Sequence, residues 1–198
     1  MEDCVITAAA AELKRARQVL DAMLDDPQLL ATLEAVAQHC VDRLAAGNKL
    51  MFAGNGASAG DAQHLASDLV SRYAFDRPGL AAISLSTDTS ILTAVGNDYG
   101  FENAFSRQIE AIGRPGDVFI GISTSGRSPN VLKAFEAAQA GGIATVALTG
   151  SKGDGLRGRV DHLLLVPSIE APRVQEAQMM LGHALCGLIE RSLFPSAT

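Results

Sequence analysis

The sequence predicts an α/β fold, a doubly wound five-stranded parallel sheet preceded by two helices. Three observations predict it. Five short apolar runs, KLMFA (49–53), AAISL (81–85), VFIGI (118–122), IATVAL (143–148) and HLLLV (162–166), are each bounded by glycine, proline or polar breakers. A continuous apolar run, as opposed to an alternating one, marks a strand covered on both faces, as in a parallel sheet. Stretches of helical periodicity separate the runs, which is the pattern of crossover-connected parallel strands. The 198 residues, 47% of them hydrophobic, suffice for one core, so residues 1–198 read as a single domain.

Composition narrows the function classes. No apolar run approaches the roughly 20 residues of a membrane span. The start, MEDCVITAAAAELKRARQ, lacks the basic and apolar regions of a secretion signal. A net charge of −6 argues against a broad nucleic-acid surface. Cys4, Cys40 and Cys186 are odd in number, far apart and outside any CxxC spacing. Cys40 and Cys186 fall in apolar helical patterns and read as small core residues in a reducing cytoplasm.

In chain order, residues 5–24 read as an amphipathic helix with Ile6, Leu13, Val19, Leu20, Met23 and Leu24 as its apolar members. Pro27 opens a second helix carrying Leu29, Leu30, Leu33, Val36, Ala37, Cys40, Val41 and Leu44, which stops at Gly47-Asn48. Residues 1–48 therefore form a helical extension, with an oligomer interface or a cap on the domain as its two uses. After the first strand, a helix carries His64 and runs to about Tyr73. The run at 81–85 reads as a buried strand, and 86–90 (STDTS) offers caps for a helix through Ile91, Leu92 and Val95. Residues 96–100 (GNDYG) form a turn cluster, and a helix follows over about 102–112. The third strand leads into STSGRS (123–128), then a helix over 129–140, the fourth strand, a loop over 149–158, the fifth strand, and a final helix from Pro172 to about Phe194. Five strands so connected suggest a flavodoxin-like sheet, with ligands beyond the C-terminal strand ends.

Two turns at that edge carry the chemistry. GNGASAGDAQHLASD (54–68) joins strand to helix through a Gly/Asn/Ser turn that presents backbone N–H groups to an anion. The helix then places His64 and Asp68 on one face, about 6 Å apart along the axis. STSGRS sets four hydroxyls around one glycine ahead of a helix. Neither turn is a Walker motif, since GK[ST] is absent. Neither is a dinucleotide fingerprint, since the next strand ends in Ser84-Leu85-Ser86 without an acidic residue. Arg72 and Arg77 are candidates to steer a phosphate, with a solvated role as the alternative. His39 beside Cys40 reads as structural, and His162 as a strand-capping or surface residue.

GNGASAGDAQH…ASD, VGNDYGF, GISTSGRSPNV and RVQEAQMMLGH, in this order and spacing, resemble the phosphoheptose isomerases, a family of the sugar isomerase (SIS) domain class. The resemblance covers essentially the whole chain. It implies interconversion of sedoheptulose 7-phosphate and D-glycero-D-manno-heptose 7-phosphate for lipopolysaccharide synthesis. It also implies a cytoplasmic homotetramer with active sites at subunit interfaces, one zinc per subunit, and no membrane or nucleic-acid partner. Carried over, substrate contacts fall on Asn55, Gly56, Ala57, Asp68, Asn97, Asp98, Ser123, Thr124, Ser125, Ser128 and Gln175. Metal ligation falls on His64, Asp68, Gln175 and His183, and acid–base catalysis on Asp68 and His183. Moving a proton between C1 and C2 through an enediol needs those residue types, and two histidines, a carboxylate and an amide oxygen make a plausible zinc shell.

Three positions depart from the family pattern. Asp68 stands where glutamate is usual, shorter by about 1.5 Å. Ala57 replaces a frequent glycine, which matters only if that backbone needs a positive φ. Gln178 stands where some members carry histidine. Gln175 and His183 lie eight residues apart, about 12 Å along a helix, and periodicity puts Glu176, not Gln175, nearest the His183 stripe. Two alternatives stay open: a non-catalytic SIS protein binding the bacterial replication initiator, and an isomerase of another sugar phosphate.

Overall fold

The computed structural model describes residues 2–195, with side chains from residue 7 onward, so Cys4 and the Ile6 side chain lie outside the described set. The elements are α1 (Glu2–Leu24), α2 (Pro27–Ala45), β1 (Leu50–Gly54), α3 (Ala57–Val70), β2 (Ala82–Ser84), α4 (Thr89–Asp98), α5 (Ser106–Ile112), β3 (Val118–Ser123), α6 (Pro129–Ala140), β4 (Ala144–Gly150), β5 (His162–Val166) and α7 (Ala171–Leu193). The strands are all parallel in the order β2-β1-β3-β4-β5, the doubly wound arrangement expected.

Side chains alternate between the two faces of each strand, so each strand feeds two cores. Leu50 and Phe52 of β1 join Ile120 and Ile122 of β3 under α2, α3 and α7. Met51 and Ala53 join Phe119 under α5 and α6. Helix α2 starts where Asp26 accepts hydrogen bonds from the N–H groups of Gln28 and Leu29, with Pro27 in the first turn. It buries Leu29, Leu33, Val36, Ala37 and Cys40. Helix α1 leaves Leu13 and Leu24 exposed, and α4 buries no residue at all. No helix among the described residues is long and apolar enough to cross a membrane.

The structure differs from the sequence reading at five places. The stretch read as a loop over 149–158 holds the end of β4 and a 3₁₀ helix over Ser151–Leu156. The 81–85 run is an edge strand, with Ile83 40% exposed, because no strand among the described residues pairs with β2 on its outer side. Helix α3 stops at Val70, short of Tyr73, because Arg77 takes the carbonyls of its last turn. Helix α4 runs on to Asp98, so the break falls at Gly100, with φ of 88°. Helix α5 begins at Ser106, after a 3₁₀ turn over Phe101–Asn103.

Candidate active site

Two turns meet at the C-terminal edge of the sheet. In the first, Gly56 precedes α3 with φ of 57°, a conformation that suits glycine. Ala57 is the first helical residue, and no non-glycine residue has positive φ among the described residues. The alanine that departs from the family pattern therefore costs the backbone nothing. In the second turn, Ser123 closes β3, and its hydroxyl lies 3.0 Å from that of Ser128. Ser125 Oγ accepts from the Arg127 N–H, and Thr124 is half-buried. The N-termini of α3 and α6 have no side-chain cap, whereas α2 and α4 are capped by Asp26 and Asp88. The starts of α3 and α6 thus keep N–H groups for an anion.

The turns are tied together by a residue the sequence reading did not single out. Asn55 Nδ2 donates to Asn130 Oδ1 and Asn130 Nδ2 to Asn55 Oδ1, both at 2.8 Å. Asn130 lies in the first turn of α6 and is 2% exposed. Its only sequence signal is a polar amide directly after Pro129. Removing one partner strands the other, so Asn55→Ala and Asn130→Ala are each expected to cost about 1–3 kcal/mol, and the double variant clearly less than the sum. Strictly additive losses in urea unfolding would show that the pair carries no coupling.

The second half of the site lies between α3 and α7, which pack side by side and run in the same direction. Asp61 meets Gln175, Leu65 meets Gly182, the Cys186 thiol lies against the Leu65 carbonyl, and Glu190 meets the segment after α3. Within this ladder the Nε2 atoms of His64 and His183 are 2.9 Å apart. Asp68 Oδ2 lies 3.6 Å from the first and 3.8 Å from the second. Aspartate, though shorter than the expected glutamate, therefore still reaches both imidazoles. Asp68 Oδ2 is buried without a hydrogen-bond partner. A carboxylate oxygen in that state calls for a cation. Among the described residues, His64, Asp68 and His183 form the one such group whose donor atoms could surround a metal, all lying within 4.8 Å of one another. The donor set fits a borderline metal such as zinc.

Gln175, not Glu176, turns toward α3: its Nε2 donates to Asp61 Oδ2 at 3.1 Å. Glu176 is exposed and pairs with Arg173. Holding the amide through nitrogen leaves Gln175 Oε1 as the atom available to a ligand. Burial pushes the Asp61 carboxyl up, against the lowering pull of the Gln175 amide and His64. Asp61 is a second residue missed in the sequence, although it shares the α3 face of His64 and Asp68 at helical spacing. Gln178 is fully buried and donates to the Leu148 carbonyl, which makes it a core residue.

Other candidates fall outside the cluster. Asn97 and Asp98 bond to one another at the exposed end of α4, and no hydrogen bond ties them to either turn among the described residues. Arg72 is exposed. Arg77 is not available to a phosphate, being buried against Glu190. The His39 and His162 rings lie tilted to one another with centroids 5.7 Å apart, and burial, with Arg43 beside it, holds the His39 imidazole below its ordinary value. Burial raises the Cys40 and Cys186 thiols to about 12, so neither is a nucleophile.

The chain is similar to known proteins in sequence and fold. The SIS domain profile matches residues 13–150. The chain is 53% identical over 194 residues to the phosphoheptose isomerase of Burkholderia pseudomallei strain 1710b, covering 98% of each chain. It superposes on the phosphoheptose isomerase of Neisseria gonorrhoeae with a TM-score of 0.81 at 40% identity, covering 96% of this chain and 98% of that one. The corresponding figures for the Francisella tularensis structure are 0.88, 34%, 94% and 98%.

Proposed function

The chain belongs to the phosphoheptose isomerase family of SIS-domain proteins, and from that premise we propose that it interconverts sedoheptulose 7-phosphate and D-glycero-D-manno-heptose 7-phosphate through an enediol, supplying heptose for lipopolysaccharide. The observation that carries the reading is the convergence of His64 and Asp68, on the helix that begins at the GNGAS turn, with His183 of α7. Binding, positioning and proton transfer then have separate residues. The N–H groups and hydroxyls of Ser123, Thr124, Ser125 and Ser128 hold the phosphate. Asn55, Gly56 and Ala57 line the sugar. Asp68 takes the proton from C1 of the ketose and returns it to C2, while His183 exchanges a proton between the two oxygens. A general acid–base pair of this kind contributes roughly 10²–10⁴-fold each.

His64, Asp68, Gln175 and His183 would hold one zinc per subunit. When bound, zinc would polarise the carbonyl and hydroxyl oxygens of the substrate. The residues themselves orient the sugar so that the reacting carbons face Asp68.

The working unit in this reading is a cytoplasmic homotetramer with active sites at subunit interfaces. Support comes from apolar residues left uncovered in a single chain: Leu13 and Leu24 on α1, Ile91 on α4, and Tyr99 and Phe101 just after it. Asn97 and Asp98 would serve a neighbouring subunit's site from the end of α4. An NMR assay with sedoheptulose 7-phosphate, run with zinc and with a chelator, tests the reading. An aldose product that disappears with chelator is expected. Wild-type protein inert with zinc present would sink the proposal, and a C2 epimer as product would move it to another sugar phosphate.

A further inference from the structure

We propose that the buried Arg77–Glu190 ion pair is a positioning device that fixes α3 against α7 and thereby sets the geometry of the metal site. The inference rests on the metal-site reading above and adds to it two residues that touch neither substrate nor metal.

The two side chains are 1% and 0% exposed, with Arg77 Nε donating to Glu190 Oε1 at 2.9 Å. Glu190 also accepts from the N–H groups of Tyr73 at 2.9 Å and Ala74 at 2.8 Å. The guanidinium spends its remaining donors on backbone. Nη2 reaches the Asp68 carbonyl at 2.8 Å, and Nη1 reaches the carbonyls of Leu69 at 2.7 Å, Pro78 at 3.0 Å and Ser71 at 3.3 Å. These include the unpaired carbonyls that any helix end leaves. One planar fork therefore closes the α3 C-terminus and anchors it to α7.

The placement follows the site. Asp68, whose carbonyl the fork holds, is the residue whose carboxylate faces both imidazoles. Glu190 follows His183 on α7 by seven residues, close to two helical turns on the same face. The pair thus fixes the ends of the two segments that carry the ligands, one turn or two beyond the donor atoms.

The pair does more than an apolar contact would. Removing two charges from water is costly, but an apolar pair of similar volume would leave the backbone groups held here without these partners. A rigid, fully hydrogen-bonded fork offers something an apolar contact does not, a fixed register between helices. Metal sites need their ligands held to within about 0.5 Å, and loss of such supporting contacts typically weakens metal binding by about 10–100-fold.

The test uses full-length protein stripped of metal and titrated with Co²⁺, read by its visible absorption, and with Zn²⁺ against a competing chelator. Arg77→Lys keeps the charge but cannot span Glu190 and the α3 carbonyls together, and Glu190→Gln keeps shape without charge. Both are expected to bind at least about tenfold more weakly, with a changed Co²⁺ spectrum. The double variant Arg77→Met with Glu190→Leu avoids an unpaired buried charge but leaves the backbone groups of the fork without those partners, so it is expected to melt below wild type and to bind at least about tenfold more weakly. Ile109→Val, buried under the other face of the sheet, controls for destabilisation and should leave affinity unchanged. If either single variant does not fold, the other and the double variant carry the same comparison. Folded variants with wild-type affinity and spectrum overturn the inference alone. Wild-type protein that binds no Co²⁺ or Zn²⁺ overturns the metal-site reading, and this inference with it.

Discussion

Replacing His183 with glutamine is expected to lower turnover by about a thousandfold or more while the protein stays folded. The side chain is 40% exposed, so the fold loses little packing with it. Its partners are the His64 imidazole at 2.9 Å and the Tyr73 ring at 5.8 Å between centroids. Substitutions at such positions usually change stability by no more than about 0.5 kcal/mol. Chemistry would lose far more, because the proposed function gives this one residue the roles of proton carrier and ligand, and removing a general acid–base group alone costs roughly 10²–10⁴. Glutamine preserves length and a polar head but cannot carry the proton. Rate, circular dichroism and Co²⁺ affinity measured on the same sample separate the causes. Retention of more than a tenth of wild-type turnover would remove His183 from the mechanism.

The second large effect is expected at Gly182, where α7 packs against Leu65 of α3. A Cβ there would lie 2.6 Å from Leu65 Cδ2 and 2.7 Å from Cδ1. Leu65 is 1% exposed and packed within the core under α3, with little room to retreat. Gly182→Ala should therefore cost about 1–3 kcal/mol as overpacking. It should also part the helices at the level of the imidazoles, since His183 is the next residue and His64 precedes Leu65. Metal affinity is expected to fall together with stability. Leu65→Ala alone leaves a cavity and costs about 2–5 kcal/mol. In the double variant the added methyl occupies part of that space, so it should be less destabilised than the sum. An additive cycle in urea unfolding would show that the contact does not control the spacing.

Most of the fold was legible because local pattern and tertiary environment agree in its centre. The β3 and β5 runs and the helix after Pro129 fall where apolar continuity and breakers placed them. AAISL carries the same pattern but lies at the edge, since a run of five apolar residues does not say how many neighbours the strand will have. The His64–Asp68 spacing was readable as one helix face, whereas their meeting with His183 depends on how α3 lies along α7, 119 residues apart in sequence between the two histidines. Periodicity favoured Glu176 over Gln175 because it counts turns along one straight stripe. Arg173 draws Glu176 outward, and Asp61 draws Gln175 in. Arg77 looked like a solvated loop cation because its partner, Glu190, lies 113 residues away.

The reciprocal amide bridge between Asn55 and Asn130 has a consequence for how the site responds to acidity. Neither amide gains or loses a proton across the range in which proteins stay folded. The bridge that spaces the two turns is therefore indifferent to pH. A change in ligand affinity with pH would therefore have its origin outside this bridge, whose two amides hold the turns at one spacing throughout.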